Sequence, residues 1–113
     1  MVQKQAKKAN GKQQTKEIVK QLKEFKKRTG VKKLILFGSA AKGSMNEHSD
    51  IDLLLVSQKF ANKKRYKRPI PLYDHWTLDY PVDFLCYTPE EFEKLKKRVT
   101  IVREAVLEGI EIK

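Results

Sequence analysis

Residues 34–56, LILFGSAAKGSMNEHSDIDLLLV, decide how the chain folds. A short apolar run ends at Gly38-Ser39, ten residues intervene, and Asp50 and Asp52 then stand at the mouth of a second apolar run. Side chains alternate along a strand, so Asp50 and Asp52 share a face while Ile51 and Leu53 take the other. Two carboxylates on one edge repel each other unless a cation lies between them, and such hard oxygen ligands suit magnesium carrying a nucleotide's phosphates. Alone, Asp-x-Asp reads as well as a solvated strand entrance. Gly38 lets the backbone approach a ligand closely, and the helix start after it offers N–H groups and the Ser39 hydroxyl to an anion. Alone, Gly-Ser is also a common turn. The conjunction favours a phosphate seat beside a metal seat.

Working outward, a third carboxylate lies in YPVDFLCY, residues 80–87, where Asp83 interrupts an apolar strand pattern. A buried, unpaired acid there costs on the order of several kcal/mol, so Asp83 should meet a metal, a base or solvent. Upstream, Ile18, Leu22 and Phe25 recur at helical spacing, with Thr15 as N-cap and Gly30 after the last turn. Downstream, TPEE (88–91) supplies a cap, a first-turn proline and a capping-box glutamate. A single helix from there to Gly109 would bury Phe92, Leu95, Val99, Val102 and Val106. Residues 69–81 are broken by three prolines, with a short helix expected over 72–78. The order is helix, strand, short helix, strand, basic connector, strand, helix. The expected fold class is α+β, a small mixed β-sheet with helices packed mainly on one face.

The 113 residues suit one domain, with 1–14 a flexible basic tail and 15–113 the folded unit. The formal charge of +11 is unevenly placed: residues 1–30 carry ten Lys or Arg against Glu17 and Glu24, and 59–68 adds six more with no acid. Such clusters attract polyanions, so nucleic acid is a candidate partner through the basic segments, although a solvated loop needs no function. The single cysteine, Cys86, excludes an intrachain disulfide and reads as a buried strand residue. His48 reads as a solvated loop residue, and Tyr73 and Trp76 as packing. No run is long enough to span a bilayer, and no apolar segment follows the basic N-terminus as in a secretion signal, so a cytoplasmic protein is expected.

GSAAKGSMNEHSDIDLLLV followed by PVDFLCYTPEEF resembles the minimal nucleotidyltransferases of the DNA polymerase beta superfamily. Their signature is Gly-Ser, about ten residues, Asp-x-Asp, and a later Asp within a strand. The resemblance implies a polymerase-beta-like fold and transfer of a nucleoside monophosphate, AMP from ATP, with release of pyrophosphate. It implies that Gly38, Ser39 and Lys42 hold the triphosphate, Lys42 standing where many relatives carry Arg. It implies two Mg2+ ions on Asp50, Asp52 and Asp83, with Asp83 also helping to deprotonate the acceptor hydroxyl. Stand-alone members of this type often pair with a small helical HEPN-type protein, and some act as antitoxins by adenylylating it. Two rival readings stay open at this point: an antitoxin or adaptor acting by contact alone, and a basic RNA-binding module.

Overall fold

The structure, a computed structural model, describes residues 11–113. Residues 1–10 of the expected tail lie outside the described residues, whereas 11–14 form the first turn of helix α1 (Gly11–Thr29). Thr15 is therefore inside the helix instead of capping it, and its hydroxyl donates to the carbonyls of Gly11 and Ala40. The apolar stripe lies as its spacing predicts: Ile18, Leu22 and Phe25 are buried. Gly30, at φ +69°, ends the helix by donating its N–H to the Lys26 carbonyl.

Three expected strands form: β1 (Lys33–Phe37), β2 (Ile51–Val56) and β3 (Val82–Tyr87). The four-residue helix α2 (Ser39–Lys42) separates the first two. A two-residue strand β4 (Ile110–Glu111) completes a sheet of order β3-β2-β1-β4. β1 runs antiparallel to both β2 and β4, while β2 and β3 are parallel, so the sheet is mixed. A two-residue pairing carries almost no sequence pattern, which is why β4 is not evident before folding.

Both faces of the sheet are covered. Leu34, Leu36, Leu53, Leu55, Phe84 and Cys86 join Ile18, Leu22 and Phe25 of α1 in the larger cluster. There Phe84 stacks on Phe25, and Trp76 meets both rings edge-on. The opposite face carries Ile35, Phe37, Leu54, Val56 and Tyr87 beneath Phe92, Val102 and Ala105. Those last three belong to α3 (Pro89–Leu95) and α4 (Ile101–Glu108). The expectation of helices mainly on one face thus describes the larger cluster, and the C-terminal helices add a smaller one. Truncating a residue such as Leu22 in the larger cluster should cost about 2–5 kcal/mol.

The single C-terminal helix expected after Thr88 is two helices. The Thr88 capping box forms with Glu91, but Thr100 starts the second helix by accepting the Arg103 N–H, and its hydroxyl donates to the Leu95 carbonyl. The break resets the helical phase, so Val99 is 93 % exposed instead of joining the core. Val106 is likewise exposed. The helix expected over 72–78 is a 3-10 segment at Ile70–His75, tighter and shorter because prolines remove donors at its start. Among the described residues, no helix is long and apolar enough to cross a membrane.

Candidate active site

The carboxylates gather at one end of the sheet through strand register. Phe37 of β1 pairs with Asp52, and Asp52 pairs with Asp83 across the parallel β2 and β3. Paired residues on neighbouring strands project to the same face, so Asp52 and Asp83 stand side by side. Asp50 precedes β2 by one residue and shares the parity of Asp52. The Ile51 N–H donates to the Pro81 carbonyl at 2.9 Å, tying together the chain segments that present Asp50 and Asp83. Asp50 and Asp83 are exposed, while Asp52 is half-buried.

Gly38 directly follows Phe37 and lies against Asp52. Its φ of 74° and ψ of −155° fall in a region reached almost only by glycine. A Cβ at this position would also collide with Asp52 Oδ2. The Gly38 carbonyl accepts the Ala41 and Lys42 N–H groups, starting α2, and Gly43 in the left-handed region ends it. Thr15 holds this short helix against α1 by donating to the Ala40 carbonyl at 2.7 Å. No local pattern marks Thr15 for that role, because its partner lies 25 residues away.

Burial raises the Asp52 carboxyl above its ordinary pKa, and the charges of Asp83 and Asp50 raise it further. Among the described residues, none of the three aspartate side chains has a hydrogen-bond or ion-pair partner. Three hard oxygen donors with uncompensated charge are the chemistry that a divalent cation relieves. In donor type and register the residues fit such an ion. They do not form a closed cage: among the described residues, no three His, Cys, Asp or Glu groups stand close enough to enclose one.

The remaining candidates are placed less centrally. Ser39 opens α2 beside Gly38, and its carbonyl accepts the Ser44 N–H. Lys42, at the far end of α2, forms an ion pair with Glu108 of α4 at 3.2 Å. His48 is solvated in the loop before Asp50, its imidazole beside Glu47 and its backbone N–H donating to Asn46 Oδ1. Cys86 points into the larger core cluster, where burial pushes its thiol up to about 12, so it stays protonated and chemically idle.

Comparison with known proteins adds three findings. Residues 15–108 match the family described as a nucleotidyltransferase domain. Over 102 residues the chain is 28 % identical to a candidate protein adenylyltransferase of Methanocaldococcus jannaschii, which spans 85 % of this chain and 99 % of that protein. The fold resembles the crystal structure of a candidate nucleotidyltransferase of Sulfolobus solfataricus, with a TM-score of 0.59 and 20 % identity over 74 % of this chain and 78 % of that one.

Proposed function

The chain belongs to the nucleotidyltransferase domain family and is a transferase, and from that premise we propose that it moves AMP from ATP to a hydroxyl on a small helical protein of the HEPN type. The observation that carries this reading is the pairing of Asp52 with Asp83 beside Gly38, at the end of the sheet where Asp50 also lies. The similarity to a candidate protein adenylyltransferase supports a protein as the acceptor. By the same reading the protein serves as the antitoxin of a two-component pair.

In this reading Asp50, Asp52 and Asp83 would draw together to hold Mg2+, since they do not enclose an ion as they stand. Bound there, the metal supplies charge neutralisation for the triphosphate and the departing pyrophosphate. Gly38 keeps its surface bare so that phosphate can approach the backbone, and Ser39 offers its hydroxyl. The acceptor oxygen bonds to the α-phosphorus, the bond to pyrophosphate breaks, and Asp83 takes the hydroxyl proton. Lys42 reaches the phosphates after exchanging Glu108 for them, which is cheap because exposed ion pairs contribute about 0–1 kcal/mol.

The test is incubation with α-labelled ATP, magnesium and a co-expressed helical partner. Label on the partner, with equimolar pyrophosphate, is expected, and both should vanish with EDTA or with Asp52→Asn. Pyrophosphate release that persists in EDTA would remove the metal from the reading. Partner neutralisation without any label would replace transfer by binding.

A further inference from the structure

The six cations of residues 59–68 do not form one solvated run. Lys59 and Arg68 are structural: Lys59 Nζ donates to the Thr29 carbonyl, and Arg68 is 7 % exposed. The Arg68 guanidinium donates to both Glu91 carboxylate oxygens and to the carbonyls of Lys63 and Cys86. Between these anchors, Lys63, Lys64, Arg65 and Lys67 are all exposed, and among the described residues none is in ion-pair contact with an acid, Arg65 acting on Glu91 only at longer range. Arg65 lies over the Tyr87 ring and Lys67 over the Tyr66 ring. Arg68 thus has its anion in Glu91, whereas the exposed cations it holds in place sum to a positive field that favours an anionic partner.

The shape narrows the partner. Lys63, Lys64, Tyr66, Lys67, Ile70 and Pro71 line an open groove of about 530 Å³, in which Tyr66 is 67 % exposed and Ile70 60 % exposed. An exposed ring with a lysine over it and an apolar floor among cations match a flat base on a charged backbone. Duplexes keep their bases stacked and out of reach. From these residues we infer that the groove binds single-stranded nucleic acid.

Its position separates it from the carboxylates. The connector leaves β2 at Val56, which pairs with Lys33, whereas Asp52 pairs with Phe37 at the other end of the sheet. Four residues of strand amount to roughly 13 Å. Arg68 on the Cys86 carbonyl and Arg65 over Tyr87 hold the segment at that Val56 end, so nucleic acid seated in the groove starts away from the carboxylates.

Fluorescence anisotropy of the full chain with a short labelled oligouridylate, over a range of salt concentrations, tests this inference. The exposed triple variant Lys63→Gln/Lys64→Gln/Lys67→Gln should lower the salt slope by about 2, as expected for three lost contacts to single-stranded phosphates. Tyr66→Ala should weaken binding at least about fivefold through lost stacking. The helix variant Lys16→Gln/Lys20→Gln/Lys23→Gln removes the same charge and should leave the slope nearly unchanged, and circular dichroism verifies that each variant is folded. Equal effects of the two triples, an inert Tyr66→Ala, or absence of wild-type binding would overturn the proposal. Displacement of the RNA by polyglutamate as readily as by unlabelled RNA would overturn it in favour of an acidic protein, and displacement by Mg-ATP would place the RNA at the carboxylates instead.

Discussion

Gly38 and Asp52 are fitted to each other: the glycine sits at φ +74°, and the space a Cβ would fill is held by the aspartate's Oδ2. This gives Gly38 a reason to be glycine that is independent of the proposed approach of phosphate. Gly38→Ala should cost about 1–3 kcal/mol from backbone strain alone. It should also push the Asp52 carboxylate out of place, so transfer should fall even at temperatures where the variant is folded. Thermal melts and a labelled-ATP assay on one preparation check this. Wild-type values in both would mean that the loop relaxes freely.

Asp52 should be a stability liability in the metal-free protein. Its folded pKa is raised, so between the unfolded value and the folded one the native state binds more protons, and stability falls as pH rises through that window. Asp52→Asn lacks this loss. The variant should melt higher than wild type at pH 7 without metal, by a margin that shrinks toward pH 4, and should gain less from magnesium than wild type does. A lower melting point at pH 7 would show that Asp52 already has a compensating partner.

β1 and β2 were legible as short apolar runs ended by Gly38 and opened by Asp50-Ile51-Asp52, and β3 by its alternation; side-chain alternation along a strand gave the shared face of Asp50 and Asp52. Asp83 stood out as an acid within an apolar run. The break at Thr100 was hidden because Val99, Val102 and Val106 also suit one long helix, and only packing against the sheet chooses the phase. Arg68 was hidden in a basic run because its partner Glu91 is 23 residues away. A separation of 25 residues likewise concealed the tie from Thr15 to Ala40.

The Arg68–Glu91 pair should set the acid limit of the fold. Glu91 is held down to about 2, chiefly by its hydrogen bonds to Arg68. Its folded pKa lies below the unfolded value, so its contribution is complete above about pH 4.5 and is lost as pH falls toward 2. Glu91→Gln should destabilise at pH 7 by about 2 kcal/mol, the scale of a hydrogen bond to a charged group. The difference from wild type should close under acid. Urea titrations at pH 7 and pH 3 measure both. A constant difference would show that the effect does not come from the charge of Glu91, since glutamine can also close the Thr88 capping box.

Asp83 offers the sharpest division between transfer and binding. It pairs with Asp52 across parallel strands yet is exposed, whereas Asp52 is half-buried beside Gly38. Asparagine at position 83 keeps nearly the same size and leaves Asp50 and Asp52 in place, so Mg-ATP should still bind, at reduced affinity. The amide cannot take a proton from an acceptor hydroxyl, and that assistance is typically worth about 10²- to 10⁴-fold in rate. Asp83→Asn should therefore show a loss of transfer in that range, far larger than its loss of Mg-ATP affinity by calorimetry. It should still associate with the proposed helical partner, because nothing in the exchange alters the rest of the surface, yet it should neither label nor silence that protein. If Asp83→Asn silenced the partner fully while transferring nothing, contact alone would be sufficient, and the three aspartates would have to be explained as something other than the reaction centre.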